Sequence, residues 1–128
     1  MRLLLDTCSF LWLIAEPERL TGKARDALLD PTNDVLLSAA SVWECAIKHK
    51  LGRLTLPGDP ARFLAEQRRA HGIEPLPIDE EAIAQIGKLP DHHRDPFDRV
   101  LVCQAIVGGL QIVTPDEWIA RYPVPVLW

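Results

Sequence analysis

Short apolar runs alternate along the chain with longer stretches in which apolar positions recur every three or four residues. That pattern predicts buried strands separated by helices. Residues 2–5 (RLLL) are the first run and end at Asp6. Residues 8–15 (CSFLWLIA) are expected to form a helix that stops near Glu16-Pro17, and a second helix follows Thr21 as N-cap. Asp30-Pro31-Thr32-Asn33 is a turn before a second strand at residues 35–37 (VLL). Ser38 or Ser41 caps a third helix that reaches Lys50, with Gly52 as its C′ residue. A polar amphipathic helix is expected over residues 60–71. Residues 73–78 contain Pro75 and Pro77, which suits an edge strand or extended segment. Asp79 caps a short helix over residues 80–87. Asp95-Pro96 starts a longer one, with Asp as N-cap and Pro at N1, closed by Gly108-Gly109. A strand at residues 110–113, a short helix at residues 116–121 and a last strand at residues 124–127 complete the pattern.

Each crossover is long enough for a strand–helix–strand unit. The expected fold class is therefore α/β, a mostly parallel central sheet with helices on both faces. Residues 1–128 suit one core and are expected to form a single domain.

Composition narrows the functional classes. No run approaches the roughly 18 apolar residues of a membrane span. Asp6 interrupts the apolar N-terminal stretch, which is expected to be a structural element rather than a signal peptide. No membrane partner and a cytoplasmic location are expected. Cys8, Cys45 and Cys103 are odd in number and widely spaced, against a disulfide framework or a zinc site, and consistent with buried thiols. The chain carries 14 Lys+Arg and 18 Asp+Glu, a formal net charge of −4. A basic footprint over the whole protein is thereby excluded. Any nucleic-acid contact must be a local patch, with Lys48, Lys50, Arg53, Arg94 and Arg99 the first candidates.

The acids are the more informative charges, because ligands of open α/β sheets bind outside the carboxyl ends of the strands. Asp6 ends the first strand. Glu44 follows the second within two helical turns, Asp98 lies in the first turn of the helix after Asp95-Pro96, and Asp116 follows the strand at residues 110–113. Asp6, Asp98 and Asp116 each have a structural alternative, as a helix cap or a first-turn acid suited to the helix dipole. Glu44 is mid-helix on a stripe with Ala40, Ile47 and Leu51, and its alternative is a surface ion pair with Lys48. Carboxylates packed together repel unless a cation neutralises them. A hard, oxygen-seeking cation such as Mg2+ or Mn2+ fits such a set. It suits phosphodiester hydrolysis, because it lowers the pKa of a water, orients the phosphate and neutralises the departing oxygen. Cys8 and Cys45 lack a recognisable His partner, so a cysteine hydrolase is not expected.

At these same residues the chain resembles the PIN domain, and specifically the VapC-type ribonuclease toxins of type II toxin–antitoxin pairs. LLLDTCSFLW resembles the family's first strand and first acid, Asp6. LSAASVWECAIKHKLGRLTLP is similar to its Ser-rich turn and the helix bearing Glu44. HHRDPFDRVLVCQA resembles a block of one VapC subgroup with Asp98 as third acid. LQIVTPDEWIARYPV matches the last strand, the hydroxyl residue Thr114 and the fourth acid, Asp116. The resemblance implies a PIN-like three-layer sandwich over residues 1–128. It implies an Mg2+- or Mn2+-dependent endoribonuclease acting on RNA, a VapB-type antitoxin partner and a homodimer. Asp6, Glu44, Asp98 and Asp116 are then the catalytic and metal-binding set, with Thr114 and Arg99 as substrate contacts. Two other functions stay open at this point: a PIN nuclease acting on DNA or structured flaps, and a non-catalytic binding module.

Some residues carry two readings. His92 and His93 either approach RNA or occupy a solvated loop. Thr114 either fixes a phosphate or a water, or caps the last helix. Phe10, Trp12, Trp43 and Phe63 are either interface anchors or, by default, core.

Overall fold

In the computed structural model, which describes residues 1–128, five strands form one parallel sheet. They are β1 (Arg2–Leu5), β2 (Asp34–Ser38), β3 (Glu74–Leu76), β4 (Gln111–Val113) and β5 (Val126–Leu127). The order across the sheet is β3-β2-β1-β4-β5. Every neighbouring pair is parallel, so "mostly parallel" sharpens to wholly parallel. The six helices are α1 (Thr7–Ala15), α2 (Gly22–Leu29), α3 (Ala39–Lys50), α4 (Pro60–Ala70), α5 (Glu80–Gln85) and α6 (Pro96–Gly108).

The period of two along β1 creates the three layers. Leu3 and Leu5 join a core with Phe10, Leu13, Ala24 and Leu64 on one face. Leu4 joins Ala82, Leu101, Val102 and Ala105 on the other. A central parallel strand covered on both faces needs apolar residues throughout, and the LLL run supplies them. β3 lies at the sheet edge, where Pro75 costs no ladder bond that the core depends on.

Side-chain caps set most helix starts. Asp6, Thr21, Ser38, Asp79 and Asp95 each accept from a backbone N–H of the first turn. Between the two serines proposed for α3, the cap is Ser38, through Ala40 N at 3.0 Å. Gly109 ends α6 with φ 63°, a left-handed conformation in which a Cβ is strained.

One expected element differs. Residues 116–121 do not form an α-helix, only turns and a 3-10 segment at Ile119–Arg121. Thr114 Oγ1 accepts from Asp116 N at 3.0 Å and Asp116 Oδ1 accepts from Trp118 N at 2.8 Å. These local side-chain bonds replace the first helical turn, and Pro123 blocks its extension. No helix is long and apolar enough to cross a membrane.

Candidate active site

Asp6 stands where β1 runs out. Leu5 pairs with Leu37 on one side and Val113 on the other, so the next residue emerges at the carboxyl end of the central strand. Asp6 Oδ1 accepts from Ser9 N at 2.7 Å, which makes it the cap of α1. Oδ2 accepts from the Thr114 hydroxyl at 2.6 Å. Capping and a place in the site are thus not exclusive. Burial pushes the Asp6 carboxyl above its usual range, against the hydrogen bonds from Ser9 and Thr114, and Asp116 adds a smaller push in the same direction.

Glu44 is buried in the middle of α3. Its Oε1 accepts from the Thr7 hydroxyl at 2.7 Å, and its Oε2 pairs with Lys48 Nζ at 2.7 Å. The ion pair weighed from the sequence therefore exists, but on a carboxylate turned inward. The expected stripe divides. Ala40 and Glu44 are buried, whereas Ile47 and Leu51 are exposed. The inward face of α3 is Ala40, Ser41, Glu44 and Cys45. The Glu44 carboxylate, through its hydrogen bond, holds the Lys48 ammonium above its usual range.

Asp95 and Asp98 arrive together at the start of α6. Asp95 Oδ1 accepts from Phe97 N at 2.9 Å and Asp98 N at 3.1 Å. Asp98 is partly buried, and its carboxyl is pushed up to about 8. Burial is the main cause, followed by the charges of Asp95, Asp116, Glu44 and Asp6. One carboxyl thus feels four others, which is the electrostatic signature of convergence.

The five acids line one cleft of about 350 Å3, together with Thr7, Cys8, Leu11, Trp12 and Lys48. Asp6, Glu44, Asp98 and Asp116, the set proposed from the sequence, meet there. Asp95 is the acid that sequence reasoning took only as a cap. Its signal was present in the spacing, since an N-cap and the N3 acid share one end of a helix. The lining offers hard oxygen donors and a single cation, Lys48. Such a set fits a divalent metal such as Mg2+ or Mn2+. The carboxylates line the cleft walls rather than forming a ready-made cluster of three ligands. The Cys8 thiol at the rim is pushed up to about 11, first by burial and then by Asp6. It is not a thiolate near neutrality, so neither thiolate attack nor soft-metal binding suits it.

Other expected residues lie elsewhere. Thr114 is buried, and its hydroxyl is spent between Asp6 and Asp116 N. Thr114 is not among the residues that line the cleft. Arg99 does not line the cleft. Its Nη1 donates to Pro90 O at 3.0 Å and to Tyr122 Oη at 3.1 Å. His93 is no solvated loop residue either. It bridges Tyr122 and Asp98, and its side chain is 13% exposed. Nothing local in the sequence pairs residues 93 and 122, so this contact had no signal there. Lys48, Arg53 and Arg94 line a groove of about 410 Å3 that shares Glu44, Lys48 and Asp95 with the acidic cleft. Lys50 is outside that lining. Phe10 is core, and Trp12 and Phe63 pack against it. Trp43 departs from the default, being 60% exposed with its ring edge-on to Phe97 at 5.1 Å.

Comparison with known proteins adds four likenesses. The PIN domain family matches residues 3–125. Ribonuclease VapC16 of Mycobacterium tuberculosis is 40% identical over 109 residues, covering 83% of this chain and 71% of that protein. Ribonuclease VapC22 of the same organism is 32% identical over 128 residues, covering 96% and 95%. Among solved structures, VapBC2 from Rickettsia felis, bound to a DNA fragment from their promoter, has a chain of the same fold. The TM-score is 0.70 at 14% identity, with 98% of this chain and 97% of that chain covered.

Proposed function

The chain belongs to the PIN domain family, in its VapC branch, and from that premise we propose that it is an Mg2+- or Mn2+-dependent endoribonuclease, the toxin of a type II toxin–antitoxin pair. The observation that carries the chemistry is the meeting of Asp6, Glu44, Asp98 and Asp116 in one cleft. In this reading Asp6 and Asp98 would hold the cation most directly, and Glu44 and Asp116 would complete the acidic pocket. When bound, the cation supplies a nucleophilic water near neutral pH and neutralises charge on the phosphate. The chain's own residues hold the carboxylates still. Ser9 and Thr114 grip Asp6, while Thr7 and Lys48 grip Glu44. No protein nucleophile is required.

RNA as substrate is supported by the activity named for both mycobacterial relatives. The adjoining groove with Lys48, Arg53 and Arg94 offers a local phosphate track despite the net charge of −4. The test compares matched single-stranded RNA and DNA. Cleavage of RNA alone is expected with Mn2+ or Mg2+, falling to background in excess EDTA and returning when metal is restored. Cleavage that survives chelation sinks the metal-dependent mechanism. Preferential cleavage of DNA sinks the ribonuclease assignment and leaves the nuclease.

A VapB-type antitoxin is the proposed protein partner, in line with the VapBC2 assembly named above. An apolar groove of about 480 Å3, with Ile14, Leu54, Leu56 and Phe63, shares Leu11 and Trp12 with the acidic cleft. A partner seated in it would stand at the rim of the site. A homodimer belongs to the same reading, supported by Trp43 and Ile47 exposed along α3 and Leu51 exposed at its C-cap. Trp43→Glu is expected to convert a dimer to a monomer in sedimentation equilibrium. An unchanged mass would remove α3 from the interface.

A further inference from the structure

Every acid at the centre of the cleft has a hydrogen-bond partner, and the partner of Asp98 is the least expected. His93 Nε2 lies 3.3 Å from Asp98 Oδ2, and His93 Nδ1 lies 2.8 Å from Tyr122 Oη. Arg99 Nη1 stands 3.1 Å from the same phenol oxygen. Tyr122 is 3% exposed, so these bonds lie out of bulk water. The three contacts have a direction. A guanidinium can only donate, so Tyr122 Oη accepts from Arg99. The single phenol proton is then free to go to His93 Nδ1. A bare Nδ1 puts the ring proton of a neutral imidazole on Nε2, where it faces Asp98. The opposite tautomer leaves the phenol proton without an acceptor. Only one arrangement satisfies every group.

We propose that His93 is a positioning residue for Asp98, locked as the Nε2–H tautomer by a one-way hydrogen-bond chain running Arg99 to Tyr122 to His93 to Asp98. The chain claims Oδ2 and leaves Oδ1 unclaimed by any side chain. It holds the carboxyl in one orientation for the cation. Packing supports the geometry. The His93 ring lies nearly parallel to Trp118, 5° between planes at 6.1 Å, and His92 packs edge-on against Tyr122 at 4.9 Å. Partners that orient a ligand in this way are worth about 10–100-fold in metal affinity. The consequence for the cation rests on the proposed reading of Asp98 as a ligand. The direction of the chain does not.

The test separates the two. Long-range 1H–15N correlation of the imidazoles in the metal-free full chain, at neutral pH, is expected to show His93 as the Nε2–H tautomer. Tyr122→Phe keeps the buried ring but removes the relay, and is expected to mix the tautomers. In calorimetric titration with Mn2+ it should weaken binding about tenfold, as should His93→Leu. His93→Gln, whose amide can donate from nearly the same place as Nε2, is expected to retain most of the affinity. An Nδ1–H or doubly protonated His93 in the parent overturns the proposal. So does parent-like Mn2+ affinity in both Tyr122→Phe and His93→Leu. A parent protein that binds no Mn2+ overturns the cation site instead, and the tautomer measurement then decides the chain alone.

Discussion

Asp98→Asn is expected to cut RNA cleavage sharply while making the metal-free protein more stable. The loss in kcat should be about 10²–10³-fold, the range for removing one preorganised electrostatic group. The gain in stability follows from crowding. In the folded chain Asp98 titrates near 8, against 3.8 ordinarily, through burial and the charges of Asp95, Asp116, Glu44 and Asp6. A raised carboxyl pKa means that the folded state holds a proton that the unfolded chain has already released. Between about pH 4 and pH 8 the unfolded state binds fewer protons, so folding stability falls as pH rises, by at most about 1.4 kcal/mol per unit. Asparagine has no proton to lose. Urea unfolding in EDTA should therefore show a pH-dependent parent and a flatter variant, with the variant's advantage growing toward pH 8. Saturating Mn2+ should reverse that order, since a ligand that binds only the folded state stabilises it. An inactive parent destabilised by this substitution would instead favour a structural role for the acids and sink the enzyme reading.

The second large effect separates the two jobs of Asp6. Asparagine caps helices about as well as aspartate. Asp6→Asn can still accept from Ser9 N, the 2.7 Å bond that starts α1. It is expected to stay folded with cleavage reduced by about 10²–10³-fold. Asp6→Ala loses the cap and strands the Thr114 hydroxyl, which now donates to Oδ2 at 2.6 Å. The cap alone is worth about 1 kcal/mol, and a buried unpaired hydroxyl adds about 1–3 kcal/mol. Thermal unfolding in EDTA and RNA cleavage in Mn2+ should give three levels: parent, a folded inactive Asn variant, and a destabilised inactive Ala variant. Equal stability of the two variants would show that the cap contributes little. An active Asn variant would remove Asp6 from direct contact with the cation.

Much of the fold was legible because it rests on local chemistry. The LLL and VLL runs are apolar throughout, as strands covered on both faces must be. Thr21, Asp79 and Asp95 cap the helices they precede for reasons that act within three residues. The segment after Thr114 departs from the expected helix, although an acid and a Pro nearby suit a helix start. Here the Thr114 and Asp116 side chains take the backbone N–H groups and make turns. The stripe through Glu44 was half right, because a periodic pattern marks a face but not how far the neighbouring layer extends over it. Ile47 and Leu51 lie beyond that cover.

By itself the sequence determined the alternation of elements, and with it the parallel sheet. It also determined that Asp6 and Asp116 sit at or just past strand ends, Asp98 in the first turn of a helix, and Glu44 within two helical turns of the second strand. All parallel strands deliver their ends to one edge, so the meeting of these acids follows from order along the chain. What only the tertiary structure decided is which groups hold them. Thr114 reaches Asp6 across 108 positions, Thr7 reaches Glu44 across 37, and Tyr122 reaches His93 across 29. A hydrogen bond requires placement within a few tenths of an ångström. That depends on strand register and helix docking together, and no periodicity or spacing encodes either one.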